Sequence, residues 1–203
     1  KSRSVRHWQR YREIVGIFSR HGFGFAFHQM EPDWNSLRNF LKLPSRKEPS
    51  TPSEDLAMHF RLALEELGPT FIKFGQILST RPDLLPPSYI TELSKLQDNV
   101  PPVPWGLIRE VLIRELGREP EQIFLTIDPQ PMAAASLAQV HAAMLPDGQE
   151  VVVKVQRPGI SAVINTDLEI LSSLAKRAQT TRWGKVYDFI SMANDFAFTL
   201  RNE

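Results

Sequence analysis

Apolar residues recur at helical spacing through most of the chain and change to strand-like alternation only in the stretch after Phe124. In residues 1–20, Trp8, Tyr11, Val15 and Phe18 share one helical face. The same stretch carries six basic side chains (Lys1, Arg3, Arg6, Arg10, Arg12, Arg20) against one acid, Glu13. Two readings of this basic amphipathic helix stay open. It can lie on an anionic membrane with its cations near the headgroups, or pack its stripe on the protein and leave the arginines in water. Gly22 and Gly24, with Phe23, Phe25 and Phe27, read as a flexible apolar connector, and Pro44, Ser45, Lys47, Pro49, Ser50 and Pro52 mark a linker.

The next helix has a legible start. Thr51-Pro52-Ser53-Glu54 has the form of a capping box and predicts a helix to about Leu67. Gly68-Pro69 breaks it; Thr70 is then expected to cap a second helix carrying Phe71, Ile72, Phe74, Ile77 and Leu78, ended by Arg81-Pro82. On this helix Lys73 and Gln76 project from one face, where they can converge on a polar target or simply meet water. Gly75 between them weakens the helix by about 1 kcal/mol relative to Ala, which points to close approach of another backbone or a ligand. Pro82, Pro86, Pro87, Pro101, Pro102 and Pro104 set the angles between short helices, one through Leu93 and Leu96. Another runs over 105–116, with Ile108, Val111, Leu112 and Leu116 as its apolar positions and Gly117 as its stop.

Residues 137–144 and 150–156, joined across Pro146-Asp147-Gly148, read as a β-hairpin with an Asp-Gly turn. Before it stands Ala133-Ala134-Ala135-Ser136-Leu137-Ala138-Gln139-Val140. This has the register of the phosphate loop G-x-G-x-x-G-x-V, with Ala133, Ala135 and Ala138 in the glycine places and Val140 in the valine place. Each alanine adds a β-carbon that restricts positive φ and the approach of backbone N–H groups to phosphate. The loop is therefore expected to tune nucleotide grip, with the Ser136 hydroxyl nearby, unless the alanines only pack on a neighbouring helix. Val151-Val152-Val153-Lys154 places a lysine near the end of the second strand, where an amine can be held at fixed distance from bound nucleotide. A lysine after a valine run is also common in ordinary strands. Beyond Pro158-Gly159, helices are expected over 160–178 and 186–203, and Asp167 either binds the Lys73 helix or faces water.

Composition narrows the classes. The 203 residues are 42% hydrophobic and 23% charged, which is globular composition for one ordinary domain or two small ones. A net charge of +1 gives no general case for a nucleic-acid partner. The lack of cysteine removes disulfides, thiolate metal ligands and thiol nucleophiles. No apolar run reaches the roughly 18 residues of a membrane span. A start at Lys1 and a stop at Glu203 inside an expected helix suggest part of a longer protein.

Residues 66–86, the alanine-rich loop with Gln139-Val140-His141, Val153-Lys154-Val155-Gln156-Arg157-Pro158-Gly159-Ile160 and Asp167-Leu168-Glu169-Ile170-Leu171 together closely resemble the UbiB family of atypical kinase-like proteins, also called ABC1 or ADCK. The resemblance covers about residues 54–203. It implies an α+β fold: a kinase-like N-lobe hairpin and sheet fragment, a family-specific helical extension before it and a helical insertion after it. The segments expected are 1–50, an amphipathic region and linker; 51–120, the extension with Lys73-Phe74-Gly75-Gln76; 121–158, the N-lobe strands; and 159–203, inserted helices cut before the catalytic loop. The resemblance makes Lys73 and Gln76 active-site residues and Glu203 the first acid of a Glu-x-Asp motif. It assigns Ala133, Ala134, Ala135, Ser136, Ala138, Val140 and Lys154 to ATP or ADP, with Lys154 on the α and β phosphates. Magnesium ligands are expected beyond residue 203. The implied activity is ATP hydrolysis or phosphoryl transfer to a small or lipid-like acceptor in isoprenoid-quinone or other lipid metabolism, with a membrane or prenyl lipid as substrate. The alternative is a nucleotide-binding pseudoenzyme or scaffold that organises biosynthetic protein partners. Location is expected to be intracellular and membrane-associated, with the compartment open.

Overall fold

The computed structural model of the chain describes residues 3–30, 53–97 and 100–202. It divides into two units, Lys1–Leu96 with Val163–Glu203, and Gln97–Ala162. These boundaries differ from the sequence partition at 50, 120 and 158: the N-terminal helix shares one core with the helices over 53–93, while the helix over 105–116 packs on the sheet. The linker over 44–52, and with it the cap at Thr51 and Pro52, lies outside the described residues.

The first unit is helical. Helix α1 (Arg3–Phe18) passes through a π-type turn (Ser19–Phe23) into α2 (Gly24–Met30). Helices α3 (Ser53–Leu67), α4 (Pro69–Ser79) and α5 (Pro87–Leu93) pack around them. Tyr11, Ile14, Val15 and Ile17 of α1 are buried in one cluster with Leu64, Leu67, Phe71, Leu78, Leu93, Leu96 and Ile170. Most of the α1 stripe is thus internal, with Tyr11 and Val15 buried and Phe18 packed against the same cluster, whereas Trp8 is 45% exposed. Each fully buried side chain of this size stabilises the unit by roughly 1.5–3 kcal/mol. The expected flexible connector is instead helical and packed: Phe18 makes ring contacts with Phe23, Phe27, Phe60 and Phe71. Only Gly22, at φ 94°, breaks the helical path there, a conformation glycine adopts without strain.

Thr70 does not cap α4. Gly68, at φ 92°, occupies the cap position, Pro69 begins the helix, and Thr70 is buried inside its first turn. Asp167 neither binds the Lys73 helix nor faces water. It is fully buried on α7 (Ile160–Gln179) and accepts hydrogen bonds from Arg10 Nε at 2.7 Å and Arg10 Nη2 at 3.1 Å. Helix α8 (Phe189–Arg201) starts three residues later than expected, after a 3₁₀ turn at Arg182–Lys185, because Asp188 supplies the cap by accepting from the Ser191 N–H.

The second unit holds helix α6 (Trp105–Leu116), closed by Gly117 at φ 70°, and one antiparallel sheet. Strand β3 (Ala138–Met144) pairs along its length with β4 (Glu150–Gln156). Its other edge takes two short pieces in turn, β1 (Thr126–Ile127) opposite residues 143–144 and β2 (Ala133–Ala134) opposite residues 139–140. The two pieces follow one path, interrupted between Asp128 and Met132, whose N–H groups still bond to Ala142 and Val140 carbonyls. The β3–β4 turn forms as expected, with Gly148 at φ 86° donating to the Leu145 carbonyl. Ile108, Val111 and Leu112 of α6 pack on Val155 and Val153.

Candidate functional site

Strand register determines which of the predicted residues share a surface. Val140 lies opposite Lys154 on one side and opposite Ala133 on the other. Directly opposed residues project to the same face of an antiparallel sheet. Ala133, Val140 and Lys154 therefore form a row across three strands, flanked by the opposed pair Ala142 and Val152. Lys154 is exposed and Val152 is 64% exposed, whereas Val155, on the alternate face, is buried against α6. One sheet face thus offers an ammonium beside apolar surface, a combination suited to a phosphate and a base. An open groove of about 760 Å³ adjoins it, walled by Thr126, Asp128, Met132, Ala142, Met144 and Val152 among others. None of the residues assigned from sequence lines that groove.

The alanine segment forms a tight hairpin. Ala133 and Ala134 are strand residues, and the Ala135 N–H donates to the Ala138 carbonyl at 2.8 Å. Ser136 is 1% exposed, with its hydroxyl shielded from solvent. Arg157 spans this turn: its Nε donates to the Ala135 carbonyl at 2.9 Å, its Nη2 to the Pro101 carbonyl at 2.8 Å, and its backbone N–H to the Leu137 carbonyl at 2.9 Å.

Behind the sheet lies a polar network that sequence reasoning did not identify. The fully buried Gln139 grips the backbone of Val103, accepting from its N–H at 2.8 Å and donating to its carbonyl at 3.2 Å. Its amide nitrogen also lies 2.9 Å from His141 Nε2. The buried His141 donates from Nδ1 to the Asp128 carbonyl at 2.7 Å, which leaves Nε2 to accept from Gln139. Polar residues at alternate, inward positions of a predicted strand were the available signal. Arg157 had none.

In the first unit, Lys73 and Gln76 lie on α4 as expected, both half-buried. The Gln76 side-chain amide donates to the Leu96 carbonyl at 3.3 Å. Gly75 is a point of close approach, but leucines make it. A β-carbon there would collide with Leu96 Cδ1, lie 2.7 Å from Leu64 Cδ1 and 3.3 Å from Leu93 Cδ2. Phe74 meets Phe196 of α8 edge-on at 5.0 Å. Glu203 lies outside the described residues. Among the described residues, no three His, Cys, Asp or Glu side chains converge as a cation site.

Residues 95–203, more than half of the chain, match the ABC1 atypical kinase-like domain. The chain belongs to this family. It is 40% identical over 170 residues to an uncharacterised protein of Synechocystis, covering 84% of this chain and 41% of that one. A Pseudomonas putida protein named as a probable protein kinase UbiB is 50% identical over 150 residues, which cover 73% of this chain and 28% of the relative. This ABC1-family chain therefore spans well under half the length of these relatives. Among solved structures, a Mycobacterium tuberculosis protein in complex with erythromycin aligns over 66% of this chain and 35% of its own, at 29% identity and a TM-score of 0.41. The α+β architecture rests on the helices and sheet described above. No helix among the described residues is long and apolar enough to cross a membrane.

Proposed function

We propose that the exposed sheet face around Lys154 is the nucleotide-binding part of an atypical kinase or ATPase. The observation that carries this reading is the row Ala133, Val140 and Lys154 across three paired strands. In it, a kinase-type loop, its valine and its lysine fall on one face in the order the motif requires. The Lys154 ammonium would neutralise the α and β phosphates, and Val140 and Val152 would meet the base. When bound, ATP supplies the phosphoryl group. Transfer to water gives phosphate and ADP, and transfer to the hydroxyl of a small or lipid-like acceptor gives its phosphate ester and ADP. Lys73 and Gln76 enter as catalytic residues on the family resemblance. A prenyl or other membrane lipid, a role in quinone or lipid metabolism, membrane association and biosynthetic protein partners belong to the same proposal.

ADP release by the full-length protein, with Lys154→Ala as the control, tests the reading. Turnover abolished by the substitution supports an enzyme. Lys154-dependent ATP binding without turnover favours the scaffold, and ATP binding unaffected by the substitution overturns the site. Comparing ADP and ATP affinities of Ala135→Gly with those of the parent tests whether the alanines tune the loop, and identical pairs of affinities would remove that idea.

A further inference from the structure

An anion-binding loop must present N–H groups and withhold carbonyls, because a carbonyl oxygen turned toward phosphate repels it. Glycine loops meet this demand by reorienting their peptides, and an alanine-rich loop has less freedom to do so. Here two of the loop's carbonyls are held from outside it and a third from within. The Ala135 carbonyl is held by Arg157 Nε, the Leu137 carbonyl by the Arg157 N–H, and the Ala138 carbonyl by the Ala135 N–H.

We infer that Arg157 is a positioning residue that fixes the alanine loop in its nucleotide-receiving conformation. In a trans peptide the C=O and N–H point in opposite directions. Binding the carbonyls of residues 135 and 137 therefore turns the N–H groups of Ser136 and Ala138 away from Arg157. The guanidinium is itself anchored, since Nη2 donates to the Pro101 carbonyl at 2.8 Å while Nε holds the loop at 2.9 Å. A planar fork with several fixed donors can make both contacts at once. A lysine, with one nitrogen on a flexible stem, cannot reproduce that geometry. Arg157 also follows Lys154 by only three positions, so strand β4 and its exit fix both the phosphate-facing amine and the loop conformation.

The inference rests on the nucleotide reading above, and the experiment separates the two. ADP affinity and amide hydrogen exchange are measured on the full-length protein, its Lys154→Ala variant, and the Arg157→Lys and Arg157→Gln variants. Loss of the charged hydrogen bond is expected to weaken ADP binding about tenfold in Arg157→Gln and by a smaller factor in Arg157→Lys. Exchange should quicken at residues 135–138 while the β3–β4 ladder stays protected. ADP affinities equal to the parent's would overturn the role of Arg157 and leave the Lys154 site standing. A uniform rise in exchange across the sheet would also overturn it, by showing a merely structural residue. If the parent binds no ADP, the nucleotide reading itself fails and takes this inference with it.

Discussion

Arg10 and Asp167 are 157 positions apart and form a two-point ion pair, with Nε 2.7 Å from Oδ1 and Nη2 3.1 Å from Oδ2. The same guanidinium donates to the Leu67 carbonyl at 2.7 Å and lies over the Phe71 ring. Burial works to lower the pKa of Arg10, but the hydrogen bonds and charges of Asp167 and then Glu13 outweigh it and raise the value. Arg10 therefore stays charged, and its contacts tie α1 to α7 and to the start of α4.

Removing one partner should be costly, because the other is left as a buried charge. Arg10→Ala is expected to lower unfolding free energy by about 3–5 kcal/mol, and a double Arg10→Met, Asp167→Leu variant to recover much of that loss. Urea denaturation of the three proteins measures it. Equal stabilities would show that the pair holds nothing together.

Gly75→Ala tests what approaches α4. The substitution gains about 1 kcal/mol of helix propensity, but overpacking against Leu64, Leu93 and Leu96 costs about 1–3 kcal/mol. A net fall in thermal midpoint is expected, relieved by a second change of Leu96→Ala. A rise in the single variant would mean the leucines yield freely.

Gln139→Leu should leave the Val103 backbone and His141 Nε2 without their partner, at a cost of about 1–3 kcal/mol. The loss should appear in the amide exchange of residues 101–105 before it appears in α1. Unchanged protection at Val103 would refute the clamp.

Glu66 sets an acid-side dependence. Its hydrogen bond with His21 and then that with Arg20 hold its carboxyl below the ordinary glutamate value. A depressed folded-state pKa stabilises the protein fully above the unfolded value and loses that contribution as pH falls through the lower folded value. Urea midpoints recorded over about pH 3–6 should therefore fall with acidification less steeply in Glu66→Gln than in the parent. Identical slopes would remove Glu66 from the linkage.

How much of this was readable depended on the range of the interaction. The β3–β4 hairpin was legible because alternation and Asp147-Gly148 specify it locally, and the helix over 105–116 because Gly117 ends it. Thr70 misled because a preferred capping residue stands two places after Gly68, whose left-handed backbone takes the position first. Gly75 was legible as a place of close approach, but spacing along one helix cannot say whether a ligand or leucines fill it. The destination of the α1 stripe and the partner of Asp167 lay out of reach, since both contacts join segments far apart in sequence. Lys154 was singled out from its motif. Its alignment with Ala133 and Val140 required the register.

Strand β4 has β3 on one side, and no strand pairs with its other edge among the described residues. An unpaired edge is a template for self-association, and β4 carries exposed Val152. Glu150 and Lys154 bracket that valine on the same face and oppose stacking by their charge and hydration. A Lys154 variant made to test chemistry would also remove one of these two gatekeepers, so its solubility should be matched to the parent's before any loss of turnover is attributed to the nucleotide.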